Sequence, residues 1–311
     1  MSDSLGRVAP SIIAIPPAPL PDWPQGWYVV GRSCEFKPGT VRNVTLADRD
    51  IVVFRTQSGV LGAVDAHCPH MGAHLVHGRV QGERLVCSLH CWRIACDGTI
   101  DEQSQRARGW TLRERFGLVM LELGNDRALP EAGTGDFDWT QVAPLDIGAG
   151  WHSLVANAFD MPHLRTVHLR ELVVAPEVSF EPGRIFSLHY VSCVRGRGLS
   201  DRVMQWLSGD RIDVRVHCYG AITVVETDLG FTRTAACIGM TPTRNGTRLY
   251  AAFGVRRGRL RPLRLALTRW LFASFLRRDL GVVEGMRLKL PDDPILQRLF
   301  DFLRTLRPMP S

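Results

Sequence analysis

Two short strings place metal-binding side chains at close spacing. The first contains Cys68 and His70, in Cys68-Pro69-His70-Met71-Gly72-Ala73-His74-Leu75, and the second contains Cys87 and His90, in Cys87-Ser88-Leu89-His90-Cys91-Trp92. The pattern C-x-H…C-x-x-H offers one thiolate and one imidazole from each of two neighbouring loops. A [2Fe–2S] cluster with two cysteines on one iron and two histidines on the other uses such a set, and its neutral imidazoles raise the reduction potential above that of an all-cysteine cluster. A Cys₂His₂ zinc site takes the same ligand types, but zinc pairs normally sit two to four residues apart, whereas Cys68 and His70 enclose a single residue. His67, His74 and His77 have no ligand-like spacing to the four and read as surface or packing residues. Cys96 reads as a small buried hydrophobe.

A second string, Asn157-Ala158-Phe159-Asp160-Met161-Pro162-His163-Leu164-Arg165-Thr166-Val167-His168, has the pattern N-x-x-D-x-x-H-x₄-H. Two histidines and one carboxylate on one face of an iron leave positions open for O₂ and substrate. Five residues of α-helix rotate about 140°, so His163 and His168 reach one ion only if the helix is distorted or ends between them. Pro162 fits a helix start. By itself, H-x₄-H reads as two unrelated helix histidines.

Together, Cys68 to Leu75, Gly78-Arg79-Val80 and Cys87 to Trp92 resemble the cluster-binding region of Rieske oxygenases, and the second string resembles the mononuclear iron motif of that family. The resemblance implies a [2Fe–2S] cluster on Cys68, His70, Cys87 and His90, and an Fe(II) on His163, His168 and a downstream carboxylate. Asp279-Leu280-Gly281-Val282-Val283-Glu284 matches the family's D-x-x-[VI]-x-E pattern. Asp279 is the expected ligand, Glu284 competes with it, and the bland alternative pairs Asp279 with Arg277 or Arg278 at the surface. The resemblance also implies that Asp160 links a ligand histidine to a cluster histidine of the adjacent subunit, within a head-to-tail C₃ homotrimer. The bland alternative for Asp160 is a helix cap. One departure is Cys91, where the family has glycine, and it bears on the loop and on the cluster potential.

The same resemblance implies O₂ as co-substrate and electrons from NAD(P)H through a separate ferredoxin and/or ferredoxin reductase, since no flavin or nicotinamide fingerprint is present. A weaker likeness to family members acting on steroids and other polycyclic compounds points to a hydrophobic substrate, with hydroxylation, demethylation, desaturation and cyclisation all open. Phe186, Tyr190, Trp206, Tyr219, Ile222, Phe231, Met240 and Phe253 are candidate pocket residues, though core packing explains such residues equally well. The rival readings are a Rieske electron-transfer protein, which leaves residues 151–311 without a role, and a zinc-binding interaction module.

The elements that position these groups fall into two halves. Residues 26–125 show short apolar runs between turn residues and read as a β-rich domain; residues 126–150, rich in Gly, Pro, Ala and Asp, read as a connector. Residues 151–311 show longer strands at 184–194, 211–219, 231–238 and 247–255, then helices at 262–286 and 294–306. The expected class is α+β: a β-rich Rieske domain, then a catalytic domain with an antiparallel sheet covered by helices, helix-grip-like in the manner the family implies. Residues 1–25 form a Pro-rich segment without the basic start or apolar core of a signal peptide, and no apolar run reaches the length of a membrane span, so a cytoplasmic location is expected. The 311 residues carry a formal charge of +7 with 45% hydrophobic residues. Of the 38 basic residues only Lys37 and Lys289 are lysine, so the basicity is spread through the chain as arginine; the densest run, Arg256 to Arg264, lacks the aromatic interleaving of a nucleic-acid surface.

Overall fold

The computed structural model describes residues 19–124, 128–132, 137–230, 232–286 and 293–309. In chain order the first half contains β1 (Gly26–Arg32), β2 (Val41–Leu46), β3 (Arg49–Arg55), β4 (Leu61–Asp65), β5 (Arg79–Gln81), β6 (Arg84–Val86), β7 (Arg93–Ile94), β8 (Leu112–Arg115) and β9 (Leu118–Leu123). These form three small antiparallel sheets, β1-β9-β8, β2-β3-β4 and β5-β6-β7. Two of the hairpins close through two-residue turns with both residues at positive φ, Ala47–Asp48 and Phe116–Gly117, the geometry whose twist matches that of the flanking strands.

The second half contains β10 (Phe137–Gln141), β11 (Leu145–Ile147), α1 (Trp151–Asn157), α2 (Met161–Thr166), β12 (Arg170–Leu172), β13 (Glu177–Glu181), β14 (Ile185–Val194), α3 (Leu199–Ser208), β15 (Ile212–Cys218), β16 (Ile222–Asp228), β17 (Arg233–Thr243), β18 (Gly246–Arg256), α4 (Arg261–Val283) and α5 (Pro294–Thr305). One antiparallel sheet of nine strands runs β10-β18-β17-β16-β15-β14-β12, with β11 also on β18 and β13 also on β14. The stretch expected as a connector, 126–150, thus supplies two strands of this sheet. Phe137-Asp138-Trp139-Thr140-Gln141 pairs along β18, and Trp139 covers Gly254, where a side chain would meet its ring at 3.0 Å. The Gly- and Pro-rich composition around these strands hid them.

β1 and β9 bury both faces. Tyr28, Val30, Val119 and Leu121 join the main core, while Trp27, Val29, Leu118 and Met120 pack on Ile222, Val224, Cys237 and Ala252 of the large sheet. Period-two alternation delivers the two sets to opposite faces. No described helix is long and apolar enough to cross a membrane.

Candidate metal centres and substrate cavity

The cluster strings are one turn built twice. Cys68 N–H donates to the Ala73 carbonyl at 2.9 Å and Gly72 N–H to the Cys68 carbonyl at 2.9 Å; in the second turn Cys87 N–H donates to Trp92 at 2.9 Å and Cys91 N–H to Cys87 at 3.1 Å. Each turn closes through a left-handed residue, Gly72 at φ 74° and Cys91 at φ 57°. A Cβ there costs roughly 1–2 kcal/mol, which is the physical meaning of the departure at Cys91.

Both turns rest on a core of Val52, Phe54, Val64, Leu75, Leu85 and Ile94. Cys68 and Cys87 are 3% and 2% exposed, whereas His70 and His90 face solvent. The rings of His70 and His90 lie edge to face with centroids 4.5 Å apart, and His70 stacks on Trp92 at 4.3 Å. Burial pushes the Cys68 thiol up, the neighbouring Cys87 thiol adds to this, and the backbone N–H groups of His70 and Met71 pull it down; such N–H donors are what tunes the sulfurs of a cluster. Among the described residues, the group of three or more ligand atoms drawn within 4.8 Å of one another is His163, His168 and Asp279. Cys68 lies against Cys87, and the ring of His70 lies against that of His90, the two-and-two division of thiols and imidazoles that a cluster with two cysteines on one iron and two histidines on the other calls for.

The other three groups come from distant parts of the chain. Asp160 caps α2, its Oδ1 accepting the His163 N–H at 2.9 Å. His163 sits in α2, which ends at Val167, so His168 leaves the helix axis and turns back. Asp279 lies in the last turns of α4 and is 9% exposed. Its Oδ1 stands 2.8 Å from His163 Nε2 and 2.7 Å from His168 Nε2, and the two Nε2 atoms are 3.2 Å apart. These contacts cannot all be good hydrogen bonds, because two Nε2–H groups donating to one oxygen leave the nitrogens facing each other without an acceptor. A cation bonded to all three at about 2.0–2.2 Å spaces its ligands about 3 Å apart, so the donor set fits a metal ion. His168 is held by a parallel stack on Phe275, centroids 3.5 Å apart, and its Nδ1 is buried without a partner. Burial lowers the His168 pKa against the pull of Asp279, the direction that favours the neutral imidazole a metal ligand must be. Burial also pushes the Asp279 carboxyl up, but the imidazoles of His163 and His168, with the Asn157 side chain, outweigh it and hold the group at about 2.

Glu284 stands apart from this group. It follows the end of α4, and its Oε1 accepts the Gly148 N–H at 3.2 Å. Arg278 pairs with Asp201 at 2.8 Å and Arg277 donates to the Ala273 carbonyl, which leaves Asp279 to the histidines.

Beside the three groups lies a cavity of about 200 Å³ with a largely apolar lining from α3, α4 and the large sheet. Of the pocket candidates, Tyr190, Met240 and Phe253 line it. Phe186 is buried against Phe159 and Phe302, Ile222 and Tyr219 pack where the two halves meet, Trp206 is 81% exposed, and Phe231 lies outside the described residues.

Residues 26–114 match the Rieske [2Fe–2S] domain family. The chain carries a Rieske domain. It is 29% identical over 170 residues to cholesterol 7-desaturase nvd of Bombyx mori, which is 49% of this chain and 37% of that protein. It is 30% identical over 165 residues to the oxygenase component of a 3-ketosteroid-9-alpha-monooxygenase of Rhodococcus rhodochrous, 47% of this chain and 44% of that one. These matches span about two-fifths of the relatives' length. Among solved structures, dicamba monooxygenase bound to 3,6-dichlorosalicylic acid superposes with a TM-score of 0.67 at 18% identity, covering 90% of this chain and 96% of that one. The QL mutant of NdmA of Pseudomonas putida CBB5 with caffeine gives a TM-score of 0.66 at 17% identity, covering 90% of this chain and 89% of that one. The Rieske domain therefore precedes a second half with the α+β fold seen in these two proteins.

Sequence reasoning left three residues near the site without a role. Asn157 opens the N-x-x-D motif and donates to Asp279. Phe275 lies four residues before Asp279, the helical spacing that puts two side chains on one face. Arg170, two residues beyond His168, gave no signal, because its burial comes only from the fold.

Proposed function

We propose that this chain is the oxygenase component of a Rieske non-haem iron oxygenase that oxidises a hydrophobic small molecule. The observation that carries the reading is the meeting of His163 and His168 with Asp279, 111 residues beyond His168, on the wall of an apolar cavity. In it Cys68, His70, Cys87 and His90 hold the [2Fe–2S] cluster, and His163, His168 and Asp279 hold Fe(II). The cluster supplies single electrons and the ferrous ion supplies the site at which O₂ is activated.

The remaining chemistry belongs to the chain's own residues. The buried cysteines anchor one side of the cluster while the exposed histidines offer the other to a neighbour, the route by which electrons enter from a separate NAD(P)H-linked ferredoxin and/or ferredoxin reductase. Phe275 holds the His168 ring in plane, Asp279 balances cationic charge, and the apolar lining keeps water from the reacting carbon. Asp160 is the link to a cluster histidine of the next subunit in a C₃ homotrimer, a heterologous ring in which each site has such a neighbour. The steroid-acting relatives support a polycyclic or steroid-like substrate. Eight free cysteines support a reducing, cytoplasmic setting. A pure electron carrier would leave the cavity and its three converging groups without use.

Iron and acid-labile sulfide analysis, with EPR of the reduced protein, tests the reading. About three irons and two sulfides per chain are expected, together with substrate-dependent O₂ uptake when a surrogate reductase is supplied. Zinc in the Cys/His site, or a cluster with no further iron, overturns it.

A further inference from the structure

Arg170 is a buried cation with no hydrogen-bonded or ion-paired partner among the described residues. It lies in β12, is 8% exposed and lines the cavity beside the three converging groups. Its Nη1 is buried without a hydrogen bond, and it makes no ion pair among the described residues. The carboxylates that line the cavity are Asp160, Asp201 and Asp279, and each is committed. Asp160 accepts the His163 N–H, Asp279 takes the two imidazoles, and Asp201 accepts from Arg278 at 2.8 Å and from the Gly198 N–H at 3.2 Å. None of the three forms a hydrogen bond or ion pair with Arg170, and Asp201, whose charge acts on it, is already paired with Arg278.

An unpaired charge in an apolar site is costly unless something neutralises it. We propose that the missing partner is the substrate, and that the cavity receives a hydrophobic carboxylic acid whose carboxylate pairs with Arg170 while its hydrocarbon body lies along α3, α4 and the sheet. This rests on the reading of the cavity as a substrate site and narrows its ligand to one chemical class. The planar guanidinium fork suits a carboxylate and discriminates against a neutral oxygen of similar size. The volume of about 200 Å³ is below the roughly 300–1,000 Å³ of most ligand pockets, so a body of several rings extends from it towards the opening.

Equilibrium binding to cluster- and iron-loaded protein, anaerobic and without reductant, tests this with no turnover. The probes are 2-naphthoate against 2-naphthamide, and 5β-cholan-24-oate against the corresponding alcohol. At least one acid is expected to bind about tenfold or more tightly than its neutral counterpart, and Arg170→Met and Arg170→Gln are expected to erase that preference. Arg170→Met should also unfold at a temperature no lower than wild type, because it removes an uncompensated charge; a structural arginine would lower it. Equal or better binding of the neutral probes, no binding of either acid up to millimolar concentration, or a preference that survives substitution overturns the proposal. Should Arg170→Met and Arg170→Gln fail to fold, Arg170→Lys keeps the charge without the fork, and an acid-to-neutral ratio unchanged from wild type overturns it. The metal analysis above stands or falls separately.

Discussion

Gly72 and Cys91 occupy equivalent left-handed positions in the two cluster turns, so one turn adopts its geometry freely and the other against the steric preference of its Cβ. Cys91→Gly is expected to stabilise the protein by about 0.5–1 kcal/mol, the relief of left-handed strain less the added freedom of the unfolded chain. Thermal unfolding measures it, and visible absorption should show a normal cluster because no ligand is removed. Asp160 separates two roles that coincide in one side chain. Asparagine caps a helix as well as aspartate does, so Asp160→Asn is expected to keep the fold and both metal centres. If the carboxylate also links two imidazoles across subunits, turnover falls by orders of magnitude, since the amide cannot accept from both rings as a charged group. Single-turnover reoxidation of a pre-reduced cluster at the wild-type rate would refute the link and leave the cap.

At the scale of elements, the site depends on where two helices stop. α2 ends at Val167, which lets His168 fold back towards His163. α4 carries Asp279 and Phe275 on one face and ends at Val283, turning Glu284 towards Gly148. Asp279→Ala is expected to lose the mononuclear iron and keep the cluster, while Glu284→Ala keeps both; metal analysis of the two variants decides it, and iron at wild-type stoichiometry in Asp279→Ala would shift the assignment. The Arg278–Asp201 pair, with side chains 29% and 5% exposed, ties α4 to α3 beside the cavity.

For the whole molecule, the decisive contact is the one between the two halves. β1 belongs to the matched Rieske region and pairs with β9, yet one face of each is core for the large sheet. Thr241 donates to the Val29 carbonyl at 2.8 Å across this seam, and a Cβ at position 239 would stand 2.3 Å from Val29 Cγ2. Valine is stiff and buried, so it cannot yield. Gly239→Ala is expected to destabilise the protein by roughly 1–3 kcal/mol, read as a lower midpoint in thermal unfolding. An unchanged midpoint would mean that the seam is looser than its packing indicates.

The sequence by itself determined the local chemistry. That Cys68 and His70 share one tight turn and Cys87 and His90 another was legible because spacing dictates geometry within a turn, and β14, β15, β18, α4 and α5 were legible from their long periodic patterns. The tertiary structure alone decided the rest. Asp279, the expected ligand, and its competitor Glu284 lie in one motif, and the end of α4 separates a buried carboxylate from one bonded to a loop. β10 and β11 became strands because β18 offered a partner edge, a non-local hydrogen-bonding need that composition does not encode. Trp206 and Tyr190 are both large aromatics on periodic segments, yet one faces solvent and the other the cavity. Which side of an element meets its neighbours depends on the packing of the whole chain, and the unpaired charge of Arg170 exists only because that packing closes around it.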